Sequence, residues 1–290
     1  MAIPGLTIIG ESINDSVPAT KSMLESGDIA GIVQLARQQD EGGAAYIDVN
    51  IGPRPPELMA ELVRQIQRAT AKPLAIDSPD YQIARAGLEA YDPSLALGQK
   101  PILNSITPLR TELFELYRIR PFKPILLISE HAEGGRGQPC RTAEQSLAAA
   151  RHLLEAFKRL APQATNDDAI FDPGIVPIGS DCENQLHRVM GVLRMMHEDP
   201  VFSGAHRSVG LSNFTVMLPS KRRDGSPVKG PLESAFLTRA MPLGLDMVIG
   251  SVKRNYQLLP EGHPALQCFD DCLKLSGFEV LMRVRQFYAS

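Results

Sequence analysis

Short apolar runs recur along the 290 residues of the chain, and each run ends in a polar residue. The runs are four to seven residues long and rich in Ile, Val and Leu. Continuous apolar runs of this length are typical of strands that are buried on both faces, as in a parallel sheet. Eight strands are predicted on this basis, at 6–11, 45–50, 73–78, 101–105, 124–130, 169–174, 208–213 and 246–251.

Helical patterns separate these strands. Residues 28–43 place apolar side chains at Ile29, Ile32, Val33 and Ala36 and then reach a Gly-Gly pair, as expected of an amphipathic helix that stops at glycine. Similar patterns predict helices at 55–70, 81–91, 110–119, 142–161, 183–198, 232–244 and 265–288, the last as one or two helices.

The alternation of strands and helices predicts an α/β fold with a parallel sheet. Eight such units in fewer than 300 residues fit a (β/α)8 barrel. The alternative is a doubly wound open sheet, which usually carries a Gly-rich phosphate loop after its first strand. Here the first strand runs into Gly-Glu-Ser-Ile-Asn-Asp at 10–15, which is no G-x-G-x-x-G motif and favours the barrel. No compositional break divides the chain, so one domain is predicted over residues 1–290.

Composition and charge narrow the class of protein. Hydrophobic residues make up 43% of the chain and the net charge is −3, which argues against disorder and against a nucleic-acid-binding surface. No signal peptide is evident, and no apolar run reaches the roughly 20 residues that a membrane helix needs. The four cysteines form no C-x-x-C pair, as expected of free thiols in a reducing compartment. A cytoplasmic protein without a membrane span or a nucleic-acid partner is therefore predicted.

Polar side chains gather at the predicted strand ends, where the active site of a (β/α)8 barrel lies. They are Glu11, Asn14, Asp48, Asn50, Asp77, Asn104, Ser105, Ser129, Glu130, Asp172, Ser212, Asn213 and Ser251. Carboxylates and amides dominate, and basic groups are nearly absent. This composition argues against a phosphate site, a Schiff-base lysine and a His-rich metal centre, so no bound metal is expected.

Asp and Asn side chains together suit a planar heterocycle with an aminopyrimidine edge. A carboxylate accepts two N–H bonds, whereas an amide both donates and accepts. A pterin is such a ring. The other interpretation is that these residues cap the following helices, as Asp, Asn and Ser often do. Four of them in one mouth, Asp77, Asn104, Asp172 and Asn213, favour a binding site.

The same residues carry a resemblance to the pterin-binding TIM barrels. The motifs are IIGESIN (8–14), EGGAAYIDVNIGP (41–53), LAIDS (74–78), ILNSI (102–106), FDPGIVP (171–177) and GLSN (210–213). In this order and at strand spacing, they are similar to methyltetrahydrofolate:corrinoid protein methyltransferases and to the folate domain of cobalamin-dependent methionine synthase. Dihydropteroate synthase, the sister branch, shares the Asp-Pro-Gly of the sixth strand. It differs on the first and seventh strands, where this chain reads GESIND and GLSN.

The resemblance implies a role for each site residue. Asp77, Asn104 and Asp172 resemble the trio that anchors the pterin. Asn213 resembles the Asn that reaches N5 of the folate, the atom that carries the methyl group. Contacts from Ser212 and Asn50 are also implied, and Glu11 and Asn14 are expected to line the mouth. The family's basic residue before the Pro-Leu of the next helix is Gly230 here, with Lys229 beside it, and is not assigned.

The implied activity is methyl transfer between N5 of tetrahydrofolate and the cobalt of a separate corrinoid (cobalamin) protein. 5-Methyltetrahydrofolate is then a substrate or a product, in the acetyl-CoA pathway or in an O- or N-demethylation system. The corrinoid protein is expected to dock at the barrel mouth, rimmed by a Gly-rich loop at 131–141 and by the segment 214–231. A homodimer is also expected.

Three alternatives remain open from the sequence. One is a dihydropteroate synthase-like pterin enzyme. Another is a folate-binding subunit that transfers nothing. The third is a barrel enzyme that uses Mg²⁺ on a carboxylated small molecule, with Asp48, Asp77 and Asp172 as possible ligands.

Overall fold

The computed structural model describes residues 3–289, so residues 1, 2 and 290 of the predicted domain lie outside the described range. Its strands are β1 (Thr7–Asn14), β2 (Tyr46–Asn50), β3 (Leu74–Asp77), β4 (Ile102–Ile106), β5 (Lys123–Leu127), β6 (Glu130–Glu133), β7 (Arg136–Pro139), β8 (Ile170–Asp172), β9 (His206–Arg207) and β10 (Met247–Gly250). Its α-helices are α1 (Pro18–Ser26), α2 (Ile29–Glu41), α3 (Pro56–Gln67), α4 (Tyr81–Ala90), α5 (Ala143–Leu160), α6 (Gln185–Glu198), α7 (Lys229–Ala240), α8 (Pro264–Cys272) and α9 (Phe278–Ala289).

Eight strands form one parallel sheet in the order β10-β1-β2-β3-β4-β5-β8-β9. The two ends of this order meet just beyond β9. There the N–H of Ile249 donates to the carbonyl of Val209 at 3.0 Å, and Gly210 pairs with Ile249 in a parallel bridge. The sheet therefore curls into a nearly closed barrel surrounded by helices, which confirms the predicted (β/α)8 TIM barrel.

The barrel interior is filled by an apolar layer with one side chain from each of seven strands. Its members are Ile9, Tyr46, Ala75, Ile102, Ile125, Ile170 and Met247. Side chains two residues apart on a strand point to the same face. The next interior layer toward the carboxyl ends of the strands is therefore Glu11, Asp48, Asp77, Asn104, Leu127, Asp172 and Ile249. The register of the sheet thus turns the polar strand ends into one ring above an apolar floor.

The seventh predicted strand, 208–213, is wrong in its bounds. β9 ends at Arg207, and Leu211–Thr215 forms a 3₁₀ helix. Leu211, Phe214 and Leu218 are buried, and spacings of three and four are helical rather than alternating. The short apolar run concealed this period, and Ser212 and Asn213 consequently lie on a helical turn over the mouth.

The segment 111–118 is a 3₁₀ helix, where the sequence predicts an ordinary helix at 110–119. Its buried side chains are Leu113, Phe114, Leu116 and Tyr117, which form two stripes of period three. This period matches the eclipsed side chains of a 3₁₀ helix.

The hydropathy pattern predicts neither helix α1 nor the hairpin β6–β7. α1 buries only Thr20 and Leu24, so its apolar stripe is weak, although Pro18 at its start and Gly27 in the left-handed conformation at its end are typical helix signals. The Gly-rich segment that was predicted as a loop contains the antiparallel hairpin β6–β7. Within residues 3–289, every helix is too short or too polar to span a lipid bilayer.

Candidate active site

A cavity of about 730 Å³ lies at the carboxyl ends of the strands, directly above the apolar floor. The whole second interior layer lines it, and loop residues after β1, β9 and β10 complete its wall. Of the eight residues predicted for the site, the cavity brings together Glu11, Asn14, Asp77, Asn104, Asp172, Ser212 and Asn213. Asn50 is the exception.

Asp77 and Asn104 face each other across neighbouring strands, as the register of β3 on β4 pairs them directly. Burial raises the pKa of Asp77 to about 6, although the hydrogen bond from Asn50, the neighbouring Asp48 carboxyl and the charge of Arg110 all oppose this rise. The suggestion that Asp77 caps a helix is not supported. Asp80 caps α4, because it accepts from the N–H groups of Gln82 and Ile83.

Asn50 supports Asp77 from outside the main cavity. Its side-chain Nδ2 donates to Oδ2 of Asp77 at 2.9 Å, and its Oδ1 accepts from the N–H of Gly52 at 2.9 Å. It lines a second cavity of about 580 Å³, together with Pro53 and Arg54. Both polar atoms of the Asn50 side chain thus form hydrogen bonds within the protein. Asn50 therefore contacts Asp77, one of the predicted pterin ligands, from the side away from the main cavity.

Asp48 is a cavity residue that sequence reasoning assigned only to the magnesium alternative. It is fully buried, beside the side chains of Asn104 and Asp77. Burial raises the pKa of Asp48 well above its usual range, and the charges of Asp77 and Glu11 raise it further. The signal that could have found it is its strand position, two residues after Tyr46 in the apolar floor.

Asp172 is held by the turn that follows it. Its Oδ1 accepts a 2.7 Å hydrogen bond from the N–H of Gly174. Gly174 has φ of 67°, and a Cβ there would lie 2.6 Å from the Cβ of Ser129, so only glycine fits. Burial raises the pKa of Asp172 to about 6, against the effects of the Gly174 N–H, Arg188 and Ser208. Asp172 caps no helix, since Asp181 caps α6 by accepting from two of its N–H groups.

The helical turn 211–215 presents Ser212 and Asn213 to the cavity. The hydroxyl of Ser212 donates to Oε1 of Glu11 in a short hydrogen bond. Burial raises the pKa of Glu11, and the charge of Glu233 adds to this rise. The amide of Asn213 packs over Gly210, where an added Cβ would lie 2.8 Å from Nδ2. Gly210 therefore makes the room that Asn213 occupies.

Asn14 lines the outer part of the cavity. Its Oδ1 accepts from the N–H of Ser16 at 2.9 Å and from the Ser16 hydroxyl at 2.5 Å. These bonds stabilise the turn that leads into α1. Asn14 therefore lines the cavity and also stabilises this turn.

The acidic residues of the cavity do not form a metal site as they stand. Among residues 3–289, no group of three or more His, Cys, Asp or Glu side chains is arranged to hold a metal ion. The polar groups that line the cavity are the carboxyl groups of Asp48, Asp77 and Asp172 and the amides of Asn104 and Asn213.

The fold and the cavity define a (β/α)8 barrel whose site is built from carboxyl and amide side chains at the strand ends. Residues 14–250 match the model of the pterin binding enzyme family, and the chain belongs to that family. Among curated proteins it is similar to a methylcorrinoid:tetrahydrofolate methyltransferase of Eubacterium limosum, with 25% identity over 258 residues and 84% of each protein covered.

Solved structures with the same fold include dihydropteroate synthases. The 7,8-dihydropteroate synthase of Vibrio fischeri aligns with a TM-score of 0.56 at 12% identity, covering 93% of each chain. That of Coxiella burnetii, in complex with pteroic acid, aligns with a TM-score of 0.53 at 12% identity, covering 99% of this chain and 95% of the other. At this identity the likeness concerns the fold alone.

Proposed function

We propose that the protein is a methyltransferase that moves a methyl group between N5 of tetrahydrofolate and the cobalt of a corrinoid carried by a separate protein. Membership of the pterin binding enzyme family supports the folate half of this proposal. The printed activity of the Eubacterium limosum relative supports the corrinoid half. Tetrahydrofolate and 5-methyltetrahydrofolate are substrate and product in this scheme, whichever direction the cell uses.

The observation that carries the proposal is the ring of Asp77, Asn104 and Asp172 on three strands of one interior layer. With pKa values of about 6, Asp77 and Asp172 are mostly ionised at neutral pH. Two buried carboxylates above an apolar floor leave strong acceptors that need N–H donors. The 2-amino and N3–H groups of a pterin supply such donors, and the Asn104 amide can both donate and accept.

Asn213 is proposed to act at N5. Transfer from methyltetrahydrofolate breaks the N5–methyl bond, and the nitrogen that is left must gain a proton. An Asn amide can donate a hydrogen bond but cannot release a proton at neutral pH. Asn213 would therefore stabilise N5 as its charge changes, while water or a cavity carboxyl group delivers the proton. The corrinoid supplies the attacking cobalt nucleophile, so the barrel needs no nucleophile of its own.

The barrel mouth is proposed as the docking face for the corrinoid protein. Val17 and Val216 line the cavity and are exposed by 38% and 55%, and neighbouring Met217 is exposed by 72%. Apolar side chains at the rim of a polar cavity suit a partner that covers it. A cytoplasmic homodimer is expected as well, and light scattering of the purified protein tests the oligomeric state.

The decisive experiment has two stages. First, binding of 5-methyltetrahydrofolate is measured by calorimetry for the wild type and for Asp172→Ala, with full affinity in the variant contradicting the proposed pterin contact. Second, a Co(I) corrinoid protein is added and its absorption spectrum is followed, with a methyl-Co(III) spectrum as the expected result. Dihydropteroate formation from the pterin pyrophosphate and aminobenzoate, without methyl transfer, would support the synthase-like alternative. Binding without transfer to any corrinoid protein would support a folate-binding subunit.

A further inference from the structure

Arg188 is a buried cation behind the cavity, on helix α6. It is only 3% exposed. Its Nε donates to the Gln185 side chain at 2.6 Å, its Nη1 to the hydroxyl of Ser146 at 2.9 Å and its Nη2 to the carbonyl of Gly174 at 2.8 Å. No carboxylate within residues 3–289 forms an ion pair with it. A buried guanidinium without an ion pair is costly, so it calls for an explanation.

The contacts of Arg188 lead directly to Asp172. The carbonyl of Gly174 accepts from Arg188, while the N–H of the same residue donates to Oδ1 of Asp172 at 2.7 Å. Ser129 packs against the third side of Gly174. Arg188 thus stabilises the turn at Gly174, and the N–H of Gly174 in turn orients the Asp172 carboxylate.

The charge of Arg188 acts on the same group. Burial lowers the pKa of Arg188, and the negative charges of Asp172 and Asp181 oppose this effect. In turn, the positive charge of Arg188 lowers the pKa of Asp172, which burial raises. Asp181 is already occupied by the N–H groups at the start of α6, so Asp172 is the carboxylate that most needs this cation.

The other groups around the pair come from three elements. Cys140 follows the β6–β7 hairpin and lies beside Ser146 of α5. It interacts electrostatically with Arg188. Glu130 and Glu183 line a groove of about 420 Å³ that also reaches Arg188. The hydroxyl of Ser208, beyond β9, faces Asp172. Arg188 is the cation whose charge lowers the pKa of Asp172.

We infer that Arg188 is a positioning residue for Asp172, which it holds in place and negatively charged so that the carboxylate can accept the N–H groups of a pterin. This inference rests on the proposed function for its ligand. Its electrostatic part concerns the protein alone and can be tested without any ligand.

The first measurement is the titration of the Asp172 carboxyl carbon by NMR in protein labelled with ¹³C-Asp, assigned with Asp172→Asn. Arg188→Met removes the charge and keeps an apolar stem of similar length. Asp172 should then titrate about one pH unit higher, because a lost stabilising charge of this kind is worth about a unit. Arg188→Lys keeps the charge without the forked donors and should shift the titration less. Arg207→Met is the matched control, since Arg207 is another buried guanidinium, bound to the Met196 carbonyl near the far end of α6.

The second measurement is the affinity for 5-methyltetrahydrofolate between pH 6 and 9. Arg188→Met should bind about fivefold more weakly at pH 6 and about twofold more weakly at pH 7, with KM raised and kcat little changed, and should match the wild type at high pH as Asp172 ionises. A purely structural effect would weaken binding equally at every pH. Unchanged Asp172 titration in folded Arg188→Met, or in Arg188→Gln if the Met variant does not fold, overturns the inference. If the wild type binds no methyltetrahydrofolate, the proposed function fails, while the NMR titration still decides the electrostatic part.

Discussion

The amide of Asn50 donates a 2.9 Å hydrogen bond to Oδ2 of Asp77, from a position outside the main cavity. One strand end therefore supports the carboxylate of the next. Asp77 itself lines the main cavity, with Asn104 paired opposite. The consequence is that substitutions at Asn50 should act on a pterin through Asp77.

Asn50→Ala should weaken binding of 5-methyltetrahydrofolate, most strongly on the acid side of neutrality. In the wild type, the hydrogen bond from Asn50 lowers the pKa of Asp77. Its removal in the variant should therefore raise that pKa further above about 6. A smaller fraction of Asp77 is then ionised at pH 7. Calorimetric titration from pH 6 to 8.5 measures this. Equal affinity of the wild type and the variant at pH 6.5 would contradict the supporting role of Asn50.

Asp172→Asn should stabilise the free protein while it abolishes pterin binding. The pKa of Asp172 is raised from 3.8 to about 6 in the folded state, so the native protein binds the extra proton between these values. Its stability therefore falls as pH rises through this window, and the cost is complete above it. At pH 8 the variant should gain up to about 3 kcal/mol in free energy of unfolding.

Urea unfolding of Asp172→Asn at pH 5 and pH 8 checks the sign of this effect. The advantage of the variant should be larger at pH 8. A variant that is less stable than the wild type at pH 8 would show that the carboxylate contributes more through its bond to Gly174 than burial costs.

Asn213→Ala should slow methyl transfer by more than tenfold while pterin binding persists. The amide is proposed to stabilise N5 as its charge changes, an effect confined to the transition state and the product. Single-turnover absorption changes of the corrinoid protein measure the transfer step. Unchanged single-turnover rates would remove Asn213 from the chemistry.

Gly210→Ala tests the position of the same amide without touching it. The new Cβ would lie 2.8 Å from Nδ2 of Asn213 and must displace that side chain. The transfer rate should fall toward that of Asn213→Ala, and the double variant should be little slower than either single one. Gly230→Ala is the control, because a Cβ there meets no atom within 4 Å. Additive losses in the double variant would mean that Gly210 acts independently of Asn213.

The contribution of His206 to the free energy of unfolding should be larger in mild acid than in base. Its Nδ1 contacts Oδ2 of Asp246 at 2.6 Å and its Nε2 lies 3.4 Å from Asp167. The hydrogen bond to Asp246 raises the pKa of His206 above 6.5. The stabilisation is therefore present below pH 6.5 and is lost as pH rises through the folded-state value. His206→Gln should lower Tm more at pH 5.5 than at pH 9, and an equal loss at both would contradict this sign.

Much of the site was predictable from strand periodicity. Asp77, Asn104 and Asp172 follow apolar residues two positions earlier, at Ala75, Ile102 and Ile170. Asp48 likewise lies two positions after Tyr46 of the apolar layer. Its contact with Asp77 inside the cavity, however, is seen only in the tertiary structure. A strand end shows that a side chain faces the mouth, but not which neighbour it meets there.

Elements whose periods were hidden by short runs were harder to predict. The turn 211–215 combines buried Leu211 and Phe214 with polar neighbours, and five residues are too few to separate a strand from a 3₁₀ helix. Its identity depends on Gly210, whose carbonyl accepts from the N–H of Asn213 at 3.0 Å. Asn213 was therefore predicted in the right mouth but on the wrong element.

The sequence by itself determined the barrel and the ring of carboxyl and amide groups, because alternation along eight buried strands decides which side chains face inward. Tertiary structure decided how those groups are supported. It sets Asn50 behind Asp77 and brings Arg188 from helix α6 to the turn after Asp172. Periodicity is a property of one element, whereas hydrogen bonds and charge interactions between elements depend on distances that only the packed chain defines.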